Sequence, residues 1–258
     1  MTELTPKTPD EIAVMREGGA HLVNIFKKIQ AQLKPGTNLQ DLDRLFRDEA
    51  QAVGAEPSFL GHEGYPATIC ASVNNQIVHC PPTDYQLQEG DIITIDGGLY
   101  FKNFHTDSAF TEIIGRDIHN YQPLLVATYQ ALLAGTHQVR AGVRIGDISQ
   151  AISDTVEQHG FRVMKQFVGH GIGRKLHEAP VVPNFVGHDK EVALPAGATI
   201  AIEPIVGTGQ DGHVLGPDGW STTTVDQSVA AHFEHTIAVT PDGYEVLTPL
   251  DAIISPQA

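Results

Sequence analysis

The stretch LQEGDIITID (Leu87 to Asp96) returns as LPAGATIAIE (Leu194 to Glu203), at an offset of 107 positions (203 − 96). Leucine, glycine, two isoleucines and the closing carboxylate fall in register. A second pair lies upstream, KPGTNLQDL (Lys34 to Leu42) against RAGVRIGDI (Arg140 to Ile148), at an offset of 106 (142 − 36). Each is followed by a helix-like stretch that ends near a glycine, Gly54 and Gly160. Each half therefore reads as a basic residue, a glycine, a helix, strands, and an L-x-x-G that opens a strand ending in a carboxylate. Two similar halves predict pseudo-twofold packing with the functional site at their interface.

The two carboxylates that close this repeat belong to an ordered series: Asp96, Asp107, His170, Glu203 and Glu234. Each sits in a short apolar or glycine-rich segment that reads as strand. IITIDGG (Ile92 to Gly98) and HTDSAF (His105 to Phe110) flank a turn at Lys102-Asn103, so they pair as a hairpin with Asp96 and Asp107 on neighbouring strands. Glu203 closes ATIAIE, Glu234 lies in HFEHTIAV, and His170 lies in FVGHGIG, where glycines allow close backbone approach. Buried carboxylates are costly unless paired or bound to a cation. Four of them on apolar strands, with a histidine, suit two divalent cations better than a core.

The 258 residues hold 41% hydrophobic side chains, enough for a sizeable core, and no low-complexity linker divides them. One domain, residues 1–258, made of two related halves (roughly 1–115 and 116–258) is expected. A formal charge of −15 argues against general nucleic-acid binding, which needs a basic footprint. No signal-peptide pattern and no membrane-length apolar run are present. Cys70 and Cys80 read as free thiols, which fits a reducing compartment and a cytoplasmic protein.

Thr8-Pro9-Asp10-Glu11 is a helix start, with Thr8 as cap and Glu11 completing a capping box. That helix is predicted to run to about Gln32, and a second from Thr37 or Asn38 to about Val53. Residues 66–80 read as two strand pieces, 67–73 and 76–79, around an Asn74-Asn75 turn. Helices are expected over 120–138 and 145–158. Helices alternating with antiparallel strand pairs give an α+β class.

Together these residues resemble the type I methionine aminopeptidases, of the pita-bread metallopeptidase fold. The resemblance covers nearly the whole chain. It is carried by KTPDEI (Lys7 to Ile12), GYPA (Gly64 to Ala67), SVNN (Ser72 to Asn75) and Val78-His79. GHGIGR (Gly169 to Arg174), His177-Glu178, Ile202-Glu203-Pro204, DGW (Asp218 to Trp220) and FEHT (Phe233 to Thr236) complete it. The resemblance implies two pseudo-symmetric halves with antiparallel strands around a dinuclear metal site and helices on the outer face. It implies that Asp96 binds one metal, that Asp107 and Glu234 bridge, and that His170 and Glu203 complete the other. The ions would be Mn²⁺, Fe²⁺, Co²⁺ or Zn²⁺. Glu203 would shuttle a proton, His177 would bind the developing oxyanion, and His79 would orient the substrate. Phe59, His62, Tyr65, Cys70, Leu176 and Trp220, with His79 and His177, would line the substrate site, the apolar members holding a methionine side chain. The implied function is removal of the N-terminal methionine from nascent proteins and peptides, favouring a small second residue. The implied setting is a monomer with transient ribosome contact.

The chain also departs from the family pattern. His62 stands where tyrosine is usual, Leu176 at an often aromatic position, Cys80 where glycine is usual, and His232 where glutamine is usual. His232 is two residues before Glu234, on the same face of a regular strand, and is expected to approach the metals. His105, His119, His137, His159, His188 and His213 carry no functional reading. The alternatives are a proline-directed peptidase of the same fold, a creatinase-like hydrolase, and a metal-free binding protein on that fold. The first usually carries a large N-terminal domain, whereas the pattern here starts within a dozen residues. Only 31 positions (234 − 203) separate Glu203 from Glu234, too few for the type II insert. A binding relative loses ligands, and here all five positions are filled.

Overall fold

The computed structural model describes residues 4–187 and 190–254, so His188 lies outside the described residues. The first half runs α1 (Pro9–Gln30), α2 (Leu39–Ala52), β1 (Glu56–Pro57), β2 (Cys70–Val73), β3 (Ile92–Phe101) and β4 (Phe104–Ile113). The second runs α3 (Gln122–Gln138), α4 (Ile145–Gln158), β5 (Arg162–Val163), β6 (Gly169–Gly171), β7 (Glu178–Val182), β8 (Thr199–Ile202) and β9 (Ile205–Gly207). It continues through β10 (His213–Leu215), β11 (Thr222–Thr224), β12 (Ala230–His232), β13 (His235–Thr240) and β14 (Gly243–Val246).

The helix ends follow local chemistry. Thr8 Oγ1 accepts from Glu11 N, and the Glu11 carboxylate accepts from Thr8 N, which is the expected capping box. Asn38 caps α2 by accepting from Gln40 N at 2.8 Å. The turn residues Lys102 and Asn103 both take positive φ (47° and 72°), which matches the twist of the β3–β4 hairpin.

The internal repeat reappears in the hydrogen bonds. Gly36 N donates to Leu87 O (2.7 Å) and Leu87 N to Thr37 O (2.9 Å). In the second half Gly142 N donates to Leu194 O (2.8 Å) and Leu194 N to Val143 O (2.9 Å). The glycines of the two L-x-x-G turns, Gly90 and Gly197, share a φ of 86°, a left-handed backbone that other residues adopt at a cost. Each turn thus ties the loop before its helix to the start of a site-bearing strand, β3 in one half and β8 in the other.

All strand pairings are antiparallel. In one sheet β3 pairs with β1, β2 and β4; in another the order is β14-β13-β8-β6-β7; β12-β9-β5 and β10-β11 form the others. The helices pack on one face of this strand layer. Phe26 of α1 meets Phe110 of β4 (5.2 Å between centroids) and Phe46 of α2 (6.3 Å), while Tyr129 of α3 meets Phe233 (5.5 Å). Because successive strand residues face opposite ways, Phe110 toward the helices leaves Asp107 and Ala109 on the other face.

The halves meet where β4 runs antiparallel to residues 232–236. Glu234 N donates to Ala109 O (2.9 Å). On one side of that pair Thr236 Oγ1 accepts from Asp107 N (2.9 Å) and donates to Asp107 O (2.8 Å). On the other side Thr111 Oγ1 accepts from His232 N (2.9 Å) and donates to His232 O (2.7 Å). The two threonine clamps in this seam are symmetric about Ala109 and Glu234.

Two sequence expectations need correction. Residues 76–79 form no strand of their own: Gln76 makes a single bridge to Thr223, and Ile77 N donates to Thr222 O. Nor is 232–239 one strand. It breaks at Phe233-Glu234, passing from β12 (paired with β9) to β13 (paired with β8). Its partner breaks opposite, between β8 and β9 at Glu203-Pro204, where proline has no N–H to continue a ladder. Among the described residues no helix is long and apolar enough to cross a membrane.

Candidate metal centre

Asp96 and Asp107 come from the β3–β4 hairpin. Asp96 pairs with Ala109 and Asp107 with Gly98, two positions along, so both carboxylates project from one face. The second half brings His170 from β6 and places Glu203 and Glu234 at the two facing strand breaks, where backbone freed from the ladder turns both side chains inward. Donor atoms of Asp107, His170 and Glu234 lie within 4.8 Å of one another, and His170 Nε2 lies 3.5 Å from Glu203 Oε1. His170 Nδ1 contacts Gly171 O at 2.9 Å, which assigns the ring proton to Nδ1 and leaves Nε2 as a lone-pair donor.

The electrostatics call for a cation. Asp96 is 8% exposed, Asp107 3% and Glu234 2%. Burial first, and then their mutual repulsion, hold Asp96, Glu203 and Glu234 well above the usual carboxylate range. Burial raises Asp107 to about 7, against the hydrogen bond from Ser108 N. Among the described residues only histidines come within ion-pair distance of Glu203 and Glu234. Asp96 Oδ1, Glu234 Oε1 and both His232 ring nitrogens have no hydrogen-bond partner. Oxygen donors with imidazole, orphaned and converging, fit divalent first-row metals.

One cleft of about 630 Å³, mouth included, is lined by Asp96, Asp107, His170, Glu203 and Glu234 on its floor. Phe59, His62, Tyr65, Cys70, His79, Leu176, His177 and Trp220 line the same cleft. All thirteen positions singled out from the sequence meet there; Glu63, which also lines it, carried no sequence signal. Tyr65 meets Phe59 (6.4 Å) and Trp220 (5.2 Å) edge-on, and its hydroxyl donates to Ile69 O (3.0 Å). Cys70 stands opposite Asp96 across β2–β3, and burial raises its thiol pKa, so the group is neutral.

His177 and His79 open to the cleft yet are enclosed behind. Burial, then His62 and His79, lower His177 to about 4; burial also lowers His79. Both rings are therefore neutral near pH 7. The His177 ring lies edge-on to His170 (4.5 Å) and to His62 (5.2 Å). His177 is anchored through its neighbour: Lys7 Nζ pairs with Glu178 at 2.5 Å, both side chains largely buried. That contact joins the KTPDEI and His177-Glu178 motifs. His79 takes a left-handed φ of 58°, a strained value for a histidine. The Cys80 thiol donates to Val78 O (3.3 Å), closing the turn that holds it. His232 approaches the floor despite the broken strand, with Nε2 at 3.8 Å from Glu203 and 3.9 Å from Glu234.

Known proteins match along the full extent of this architecture. The profile of metallopeptidase family M24 matches residues 13–241. The methionine aminopeptidase of Clostridium perfringens is 40% identical over 242 residues, 94% of this chain and 97% of that one. The crystal structure of methionine aminopeptidase from Thermotoga maritima superposes with a TM-score of 0.93 at 37% identity, covering 95% and 99% of the two chains. Prolidase from Pyrococcus furiosus shares the fold alone, with a TM-score of 0.78 at 17% identity over 95% of this chain and 66% of that one.

Proposed function

The chain belongs to metallopeptidase family M24, and we propose that it removes the N-terminal methionine from peptides and nascent proteins. It is a metal-dependent aminopeptidase of the pita-bread fold. The observation that carries the specificity is the cleft itself: a floor of buried carboxylates beneath walls of Phe59, Tyr65, Cys70, Leu176 and Trp220.

Asp96, Asp107, His170, Glu203 and Glu234 would hold two divalent ions, of Mn, Fe, Co or Zn. Such ions supply Lewis acidity, acidifying water and polarising a carbonyl oxygen. The chain's own groups do the rest. The apolar wall takes the unbranched thioether, a soft side chain suited to aromatic edges and a neutral thiol. The substrate's free α-amino group would bind at this centre, which selects a chain terminus over an internal bond. Glu203, at the floor, takes a proton from the attacking water and delivers it to the departing amine. His177, neutral, donates a ring N–H to the carbonyl oxygen as negative charge grows there. His79 orients the scissile nitrogen. A small second residue is favoured.

The whole chain acts as one catalytic domain, as a monomer in the cytoplasm with transient ribosome contact; two buried free thiols accord with a reducing compartment. The test uses metal-stripped protein with Met-Ala-Ser, Leu-Ala-Ser and a proline-second peptide, adding Mn²⁺ or Co²⁺. Metal-dependent release of methionine with little leucine is expected. Turnover of the proline-second peptide alone, or none with two ions bound, refutes the substrate assignment.

A further inference from the structure

His232 is a buried imidazole without a role in the reading above. It is 2% exposed, and neither ring nitrogen has a hydrogen-bond partner. Leaving a buried polar atom unpaired is costly, so an orphaned ring needs a reason. Its position is not loose: Thr111 clamps both its N–H and its carbonyl.

The ring is aimed at the floor. Nε2 lies 3.8 Å from Glu203 Oε2 and 3.9 Å from Glu234 Oε2, too far for hydrogen bonds. Those separations suit donors that share an ion. With donor–metal distances of about 2.0–2.2 Å, two donors of one ion stand no more than about 4.4 Å apart. His170 Nε2 stands 3.5 Å from the other oxygen of the same carboxylate, Glu203 Oε1.

We propose that His232 Nε2 is a sixth protein donor to the metal centre, on the ion held by His170 and Glu203. The inference rests on the metallopeptidase reading above. Its consequence is an asymmetric centre. One ion has two imidazoles and the other has carboxylates only. Imidazole suits zinc and iron, whereas carboxylate suits manganese, so the two seats differ in the metal they prefer.

The test is a count of imidazoles by X-ray absorption on protein loaded with two equivalents of Zn²⁺. The proposal expects two imidazoles per pair of ions in the unaltered protein and one in His170→Gln. Calorimetry on His232→Gln should show Zn²⁺ binding weakened on the order of 10–100-fold or more, with a smaller loss for Mn²⁺. One imidazole in the fully loaded unaltered protein, or none in loaded His170→Gln, overturns it. Both counts hold even if His232→Gln fails to fold. Failure of the unaltered protein to take up metal would instead refute the metallopeptidase reading itself.

Discussion

Metal uptake should release protons, in a number set by burial. In the metal-free protein Asp107 titrates at about 7, because burial disfavours its charged form. A bound cation requires the ionised carboxylate, so its proton must leave. At pH 6 that displacement weakens binding on the order of tenfold, and by pH 8 the penalty nearly vanishes. Asp107 alone therefore makes affinity rise about tenfold from pH 6 to pH 8. Asp96, Glu203 and Glu234 are raised by burial and mutual repulsion, and each adds its own factor. His170 is lowered to about 3, chiefly by burial, and adds none, being neutral throughout. The assay is calorimetric titration of Mn²⁺ into stripped protein at pH 6, in two buffers of different ionisation enthalpy. The difference in heat counts protons; at least one and up to four are expected. No release, with affinity flat from pH 6 to pH 8, would mean that the four groups are already ionised and would refute the argument.

Three further outcomes are expected. His177→Ala should lower kcat on the order of 10²–10³-fold with KM little changed, as for a donor felt chiefly in the transition state; a loss confined to KM in steady-state kinetics would make it a ground-state binding group. Trp220→Ala removes the ring edge-on to Tyr65. It should cost about 1–3 kcal/mol in kcat/KM for Met-Ala-Ser and narrow the preference over Leu-Ala-Ser, and an unchanged ratio would take Trp220 out of the pocket. Thr236→Val leaves Asp107 N and O without their clamp. It should lower unfolding free energy by about 1–3 kcal/mol in urea titrations.

The parts legible in the sequence were those with a local cause. Thr8 and Glu11 announce a helix start because their side chains satisfy backbone N–H groups within one turn. The repeat was legible because each L-x-x-G needs a left-handed glycine at the same place. The illegible parts depend on contacts distant in sequence. Strands of two to four residues, such as β5, β9 and β12, are too short to carry a period. Ile77 and Val78 are apolar because they pack with Met164, Ile205 and Ala230, not because they belong to a strand. Glu63 reaches the cleft from a short 3₁₀ turn (His62–Gly64), at a left-handed φ of 50°, which no pattern of side chains signals. The break at Glu234 was hidden because both sides of it are equally apolar.

The seam has a mechanical consequence. Asp96 and Asp107 lie on one side of it and His170, Glu203 and Glu234 on the other, so bound ions would rivet the halves together. An ion held by both Asp107 and Glu234 would link positions 127 apart (234 − 107) along the chain and close a long loop that the unfolded chain leaves open. Without the rivet, only the strand contacts, the threonine clamps and the packing around them resist separation. Amide exchange in the stripped protein should then be fastest, relative to the loaded one, at 107–111 and 232–236, with the helix cores unchanged. The ions that activate water would also set how tightly the two halves stay closed.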